Sequence, residues 1–498
     1  MKHSSCVWAA ALMLCTATGA NAKSTNANDS LVQNYMRSSL YTIVLNSDTQ
    51  NNFYEEETKN AAVGDGGIMA MAKSIAKTDE KRAANDDNTG SIFSLPAKVF
   101  PTIAIPNQFN DHNLAVRVVN FDSIRNLITP EELEKFAVKK KSGIGMLAKS
   151  MAGMSTSTDQ ANNQFDQYAP AVINRFFTSN AVAPNIVAKW YDYNPGDKHW
   201  SYDSLVTITE RGSYNFSPAD LALAATDMKM RQKIDNTAFE MIKNTYVMAV
   251  NLRFRSYQAI VAEASAMANA VGSQFGGYGA LAAKVASAGA SAAAGDGYTV
   301  QAVSSLYRLK WNDDINQDFA VNHIEKNSSL DDLIKSGLCE LEYIGTEKST
   351  SNIRQSLFSD KPISSLVTRA TARAIDEAII KLQNAHEEFR TVLPVIGGDG
   401  KGIIYAAIGT KEGLNEKDEY EILEANEDEN GKVSYKSVGS VKAVKGKIWN
   451  NAYGAEEELA ENDKATDSDR EAVERGYTEF KGKKGDYTGY YLRLKKKK

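Results

Sequence analysis

Residues 217–255 read SPADLALAATDMKMRQKIDNTAFEMIKNTYVMAVNLRFR and join a helix pattern to a strand pattern. Ser217 and Pro218 are typical of a helix start, because serine caps free backbone N–H groups and proline fits the first turn. Apolar residues then recur at helical spacing. The last third becomes a nearly continuous apolar run that ends in alternation, which is typical of a strand. The stretch predicts one long helix over 217–244 that passes directly into a strand over 245–255.

Other segments carry patterns of the same two kinds. The predicted helices cover residues 129–136, 173–177, 329–334 and 362–389. The predicted strands of the same region cover residues 37–45, 116–121, 186–190, 204–209, 303–311 and 338–343. The strand over 303–311 is expected to run parallel to that over 245–255, because the connection is long enough for a crossover. Together these elements predict an α+β body, with α/β as the alternative.

The first 22 residues have the form of a secretory signal peptide. Lys2 supplies the positive charge, residues 7–14 form the apolar run, and Ala20-Asn21-Ala22 is a small-residue cleavage pattern. Cys15 lacks the small residues usual before a lipidated cysteine, which disfavours a lipoprotein. Cleavage removes one lysine, so the formal net charge changes from −5 to −5 − 1 = −6. The sequence therefore predicts an exported protein of the periplasm or of the outer membrane or cell surface.

Cleavage would leave Cys339 as the one cysteine of the mature chain. An internal disulfide would then be excluded, and the hydrophobic core alone would hold the exported protein. Cys339 lies in an alternating apolar and polar pattern, which favours a buried structural thiol over a nucleophile.

Composition divides the mature chain into a body and a smaller C-terminal domain. Residues 23–394 form the predicted body, in which the polar and acidic residues 46–92 are predicted to be a disordered insertion. Residues 259–297 are rich in alanine and glycine, and three interpretations stay open for them: a flexible or loosely helical crossover, a self-association or partner surface, or membrane insertion.

Residues 395–498 predict a small antiparallel β-barrel of SH3-like size. Short strands are expected over residues 403–408, 420–423, 433–441, 447–449 and 487–492. Asn430-Gly431 is a hairpin turn pattern. Residues 397–400 are interpreted as a glycine-rich linker, and residues 456–475 as a solvated charged insertion.

Two parts of the chain resemble known proteins. Lys411-Glu412-Gly413-Leu414, followed by Asp418, is similar to the small β-barrel at the C-terminus of flagellar-assembly and related envelope proteins, although Lys417 stands where that pattern more often has glycine. The body resembles uncharacterised exported proteins of Bacteroidetes-type Gram-negative bacteria and is distantly similar in layout to curli-secretion-type periplasmic domains. The segments that carry this second resemblance are Lys189-Trp190, Glu210-Arg211-Gly212 and Asn244-Thr245-Tyr246-Val247. Both resemblances imply a cell-envelope setting and supply no catalytic residues.

A search for chemistry in the sequence finds no catalytic, cofactor or metal motif. Four histidines lie beyond the signal peptide, and none has a second ligand at metal-binding spacing. They are His112, His199, His323 and His386. Asp111-His112 is a candidate acid–base pair. Asp313-Asp314 is a candidate cation site without the usual calcium-loop pattern.

The remaining charged and glycine-rich motifs are more typical of exposed surface than of catalytic or ligand-binding sites. Residues 276–279 are glycine-rich but lack the phosphate-loop lysine. Lys139-Lys140-Lys141 is expected to be a solvated helix end. The terminal residues 495–498 are four lysines that could touch an anionic lipid or polysaccharide. The isoelectric point of about 5.8 argues against non-specific nucleic-acid binding.

The sequence thus favours a non-enzymatic assembly or interaction protein of the cell envelope, without cofactor or metal. Its expected partner is an envelope protein, with a homo-oligomer or a complex as the expected state and a glycan or anionic surface as a further contact. One alternative is an exported hydrolase whose cleft would gather Asp111, His112 or His199. The other is a pore or fibre subunit that uses the segment rich in alanine and glycine.

Overall fold

The structure is a computed structural model of the whole chain. It describes residues 38–47, 109–110, 117–136, 157–213, 218–256, 297–354 and 363–495, except for 195, 197, 391, 428–432, 463, 486 and 488. The predicted signal peptide lies outside these residues. So do the predicted insertion apart from Asn46 and Ser47, and the alanine- and glycine-rich segment apart from Gly297.

The body is built on a mixed sheet of six strands. Their bounds are β1 Ser38–Asn46, β2 Phe109–Asn110, β3 Arg117–Asn120, β4 Thr245–Ser256, β5 Gly297–Leu309 and β6 Leu341–Arg354. The sheet order is β2-β1-β4-β5-β6, and β3 also pairs with β1. Strand β1 runs parallel to β2, β3 and β4, whereas β4, β5 and β6 are antiparallel. The predicted α+β class is confirmed.

Helices cover both faces of this sheet. Their bounds are α1 Phe121–Arg125, α2 Pro130–Lys135, α3 Ser157–Ser179, α4 Val182–Trp190, α5 Asp203–Gly212, α6 Pro218–Ala224, α7 Met228–Lys243, α8 Asp313–Phe319, α9 Leu330–Ser336 and α10 Ile363–Ala385. A core rich in aromatic rings fills one face, where Trp190, Trp200 and Phe319 are fully buried. Helix α10 covers the other face through a stripe that includes Ala370 and Ala374. Small side chains allow this close approach, and Ser349 Oγ of β6 donates to the Ala374 carbonyl at 2.6 Å.

The predicted strands over 186–190 and 204–209 are wrong, because both segments are helical. In α4 the buried residues Ala183, Ile186, Val187 and Trp190 recur at the spacing of one helix face. The short apolar run over 186–190 fits a strand equally well when it is considered alone. The periodicity appears only when Ala183 is included.

The predicted helix over 217–244 is two helices, α6 and α7. Asp227 ends the continuity, since its Oδ1 accepts from the backbone N–H groups of Lys229 at 2.8 Å and Met230 at 3.4 Å. An aspartate that caps free N–H groups in this way starts a new helix. The strand that follows is confirmed as β4, and its residues 245–250 are all buried.

The strand over 303–311 is confirmed as part of β5, but its predicted direction is wrong. Tyr246 of β4 pairs with Arg308 of β5, and Ser256 pairs with Tyr298, so the two strands are antiparallel. A long connection fits either direction, which is why its length could not decide between them.

A buried ion-pair network ties α3 to the sheet. The Arg253 side chain on β4 is 4% exposed and pairs with Asp166 of α3. Asn251 Oδ1 accepts from Arg253 Nε at 2.9 Å. Lys348 Nζ on β6 lies 2.6 Å from the other oxygen of Asp166, at a much more exposed position. Loss of the carboxylate would leave a buried charge unpaired, which is costly, so the stability of the fold depends on this pair.

The C-terminal region forms a second, curled sheet of seven antiparallel strands. Their bounds are β7 Leu393–Pro394, β8 Gly397–Gly398, β9 Ile403–Ala406, β10 Glu419–Glu427, β11 Val433–Ala443, β12 Thr478–Lys481 and β13 Tyr491–Leu494. The order is β7-β13-β10-β11-β12-β9-β8, so the two edge strands are consecutive pieces of chain. Val395 N–H donates to the Tyr490 carbonyl and Ile396 N–H to the Tyr405 carbonyl, both at 2.9 Å. The segment between β7 and β8 therefore bridges the two ends of the curl around its own core.

Three predictions for the C-terminal region are corrected. The predicted linker contains β8, and Asp399 Oδ1 accepts from Ile403 N–H at 2.8 Å in a tight turn. Residues 447–449 make a single bridge between Gly409 and Trp449 instead of a strand. The predicted charged insertion holds two helices, α11 Ala455–Glu461 and α12 Asp467–Glu474.

Among all the described helices, none is long and apolar enough to cross a membrane.

Candidate functional site: the junction between helix α10 and the C-terminal sheet

The structure describes three of the four candidate histidines, and each of them contacts different residues. His199 is exposed, with Nδ1 3.2 Å from the Trp200 carbonyl. His323 is buried against Phe319, with Nδ1 2.7 Å from Ser328 Oγ, and burial lowers its pKa. The His386 ring lies directly over Gly345 of β6. Asp111 and His112 lie outside the described residues, as do Lys139-Lys140-Lys141 and the glycines of 276–279.

The surroundings of two other candidates from the sequence, Cys339 and Asp313, indicate structural roles. Burial raises the pKa of the Cys339 thiol to about 12, so the thiol stays protonated near neutral pH. Asp313 pairs with Lys243 Nζ at 2.8 Å. Within the described part of the chain, no group of three or more histidine, cysteine, aspartate or glutamate side chains could hold a metal ion.

A group of charged residues, of which Arg369 and Asp376 are buried, lies where α10 meets the C-terminal region, and we call it the junction. It comprises Arg369, Arg373, Asp376 and Ile380 of α10 together with Lys411, Glu412, Gly413, Tyr453, Glu457 and Glu458. The four α10 residues are three or four positions apart, so they share one side of the helix. The alanine stripe lies on another side, against the body sheet. Helix α10 is therefore shared by both parts of the molecule.

Two arginines of α10 hold the start of α11. Arg369 Nη2 lies 2.7 Å from Glu457 and its Nη1 3.4 Å from Glu458. Arg373 Nη2 lies 2.8 Å from Glu458 and donates to the Tyr453 carbonyl at 3.1 Å. The Arg369 side chain is 6% exposed, whereas its glutamate partners lie at the surface. Two forked donors on neighbouring acceptors fix orientation as well as distance.

The turn that carries the envelope-barrel resemblance forms the other half of the junction. Glu412 accepts from Gly409 N–H and from Asn451 Nδ2, both at 2.8 Å. Gly413 has φ +74°, and a Cβ there would lie 2.7 Å from Ile380 Cγ2 of α10. Only glycine fits both the left-handed backbone and this close approach. The Gly-Leu turn thus packs directly on the helix.

One carboxyl group is buried at the junction, and a second is partly buried beside it. Asp376 is 7% exposed. Burial raises the pKa of its carboxyl from 3.8 to about 7, against the charges of Lys411 and Arg373, while the nearby Glu412 raises it further. Burial also raises the pKa of Glu412. The junction therefore holds a carboxyl that titrates near neutral pH.

The sequence indicated only half of this arrangement. The helix over 362–389 is predicted from helical spacing, and residues 363–385 of it are confirmed as α10. The contact with residues 456–458 was missed, because a run of glutamates is usually a solvated face. No local pattern pairs an arginine with a glutamate more than eighty residues away. The partner becomes evident only from the packed structure.

Comparisons with known proteins do not assign the chain to a family. No protein-family model matches the chain, and no curated protein matches it in sequence.

Proposed function

We propose that this chain is an exported, non-enzymatic protein of the cell envelope that docks an envelope partner through its C-terminal sheet. The sheet is proposed to be a small SH3-like barrel, as the resemblance over 411–418 implies. The periplasm or the outer membrane or cell surface is the proposed location. The expected state is a homo-oligomer or a subunit of a complex.

The observation that carries this proposal is the two-stranded ribbon formed by β10 and β11, which has unpaired edges among the described residues. We call it the ribbon. Strand β11 pairs with β10 along its length except for a β-bulge at Val438, but it pairs with β12 only at Lys442 and Ala443. Strand β10 pairs with β13 only over 420–423. The far half of the ribbon therefore offers strand edges with no sheet neighbour in the described part of the chain, and such edges accept an added strand.

The junction supports the same proposal, because a docking element works best when its position is fixed. Arg369 and Arg373 fix α11, and Gly413 fixes the turn before β10. The ribbon also carries Val438, an apolar side chain that is 44% exposed. An extended strand of a partner, aligned along β11, would cover this side chain.

Cross-linking of the mature chain in its own envelope fraction tests the proposal. We expect one defined cross-linked complex, which Val438→Asp abolishes by placing a charge at the ribbon. Leu127→Asp is the matched control, since Leu127 is 61% exposed on the body and the complex should survive its substitution. A chain that stays monomeric without cross-links, or a complex that both variants weaken equally, would refute the docking function.

A further inference from the structure

An open depression of about 650 Å³ lies on the C-terminal sheet beside the ribbon, and we call it the lysine pocket. Its lining comes from β10, β11, β12 and the turn after β11. The lining residues are Glu419, Ser440, Val441, Lys442, Ala443, Val444, Lys445 and Lys481. The volume is within the usual range for small-molecule sites.

Positive charge exceeds negative charge in this pocket, which is lined by three lysines and one glutamate. Lys442 and Lys481 are directly opposite each other in the antiparallel pairing of β11 and β12. Like charges in that position repel and weaken the sheet. Lys445 adds a third ammonium group, and within the described residues none of the three has a carboxylate at ion-pair distance. An anion in the pocket would relieve this repulsion.

The one carboxylate of the pocket, Glu419, lies directly opposite Lys442 in the pairing of β10 and β11 and is shared with a further cation. Glu419 Oε1 lies 2.9 Å from Lys495 Nζ. The hydrogen bonds from Lys495 and Ser440 lower the pKa of Glu419. Lys495 is also the first residue of the terminal lysine run, and its N–H donates to the Glu419 carbonyl at 2.9 Å. The run for which the sequence predicted an anionic contact therefore begins at the wall of this pocket.

We propose that the lysine pocket binds an acidic saccharide, in which carboxylates are carried on sugar rings. Ammonium groups on flexible stems suit separate carboxylates spaced along a chain. Glu419 and Ser440 can hydrogen-bond to sugar hydroxyls. The partly exposed side chain of Val444 and the aliphatic stems of Lys442 and Lys481 offer apolar surface for one side of a ring.

A phosphate group fits the same pocket less well. The lining residues come from strands and a turn, so no helix N-terminus or arginine fork concentrates charge on one compact anion. Free phosphate and anionic lipid are therefore the competing outcomes of the test.

Calorimetric titration of the mature chain with a short oligogalacturonate tests this inference. The parent should bind it at low salt and should not bind a neutral galactan of the same length. Lys442→Gln with Lys481→Gln should weaken binding roughly tenfold, the loss expected from two exposed charge contacts. The same variant should unfold at about the same temperature, because it removes the like-charge pair of Lys442 and Lys481 together with the opposite-charge pair of Lys442 and Glu419.

Lys401→Gln with Lys464→Gln is the matched control, since both lysines are exposed elsewhere on the C-terminal region and the net charge changes equally. Binding should survive in this control. The proposal is overturned if the parent does not bind oligogalacturonate or if the control loses as much affinity as the pocket variant. It is overturned equally if phosphate or phosphatidylglycerol vesicles bind in preference.

The inference deepens the proposed docking function and rests on it, and the two can fail separately. If the cross-linked complex forms at Val438 but oligogalacturonate does not bind, only the saccharide site is wrong. If oligogalacturonate binds but no complex forms, the protein-docking function is wrong.

Discussion

At the residue scale, Gly413 is the position where backbone conformation and packing most directly join the two parts of the molecule. Gly413→Ala should destabilise the chain by about 3 kcal/mol, from a strained left-handed alanine and a clash with Ile380. Gly400→Ala is the matched control, because Gly400 has φ +67° with nothing within 4 Å of its Cβ position. Its cost should be only about 1 kcal/mol. Equal losses in urea unfolding would show that Ile380 does not contact the turn.

Asp376 should make stability depend on pH. Its carboxyl has a raised pKa of about 7 in the folded chain, against 3.8 for an exposed aspartate. Between these values the folded state binds more protons than the unfolded state. The contribution of Asp376 is therefore largest at low pH, is lost as pH rises towards 7, and is constant above that. The groups that face Asp376 are Lys411, Glu412 and Arg373.

Urea unfolding at several pH values, in the parent and in Asp376→Asn, measures this dependence. The free energy of unfolding of the parent should fall with rising pH, relative to the variant, by up to about 1 kcal/mol per pH unit in that window. Above pH 7 the variant should be the more stable protein. Parallel curves for the two proteins would contradict the burial of an ionisable carboxyl at the junction.

At the scale of elements, the network of Arg253 and Asp166 holds α3 on the body sheet. Asp166→Ala leaves a buried guanidinium without its carboxylate and should cost about 3 kcal/mol. Lys348→Met removes the exposed partner of the same aspartate and should cost less than about 1 kcal/mol. Urea unfolding of both variants compares the two losses. A larger loss for Lys348→Met would reverse the assignment of buried and exposed partners.

Elements differ in how much of their structure the sequence could predict. Helix α10 and strand β4 follow from long, consistent periodicity, and both are confirmed. Helix α4 was mistaken for a strand because a run of five residues, four of them apolar, fits either period. Asp227 was taken as an interruption of a helix that it in fact caps. The direction of β5 depends on sheet topology, which a linear pattern does not encode. The junction depends on distant pairs such as Arg369 and Glu457, which only the fold brings together.

At the scale of the whole molecule, α10 makes the body and the C-terminal sheet depend on each other. One side of this helix packs on the body sheet through Ala370 and Ala374. Another side holds the C-terminal region through Arg369 and Arg373. The sequence predicts a body and a smaller C-terminal domain, and helix α10 contacts both of these regions. A fixed orientation between the two is what the proposed docking function requires.

The distance between spin labels on Asp331→Cys of α9 and Glu474→Cys of α12, in a Cys339→Ala background, tests this claim most directly. Both label positions are exposed, one on the body and one on the C-terminal region. We predict a single narrow distance distribution for the mature chain, and a broad one after Arg369→Glu and Arg373→Glu remove the junction ion pairs. A distribution that is already broad before those substitutions would contradict the shared-helix account.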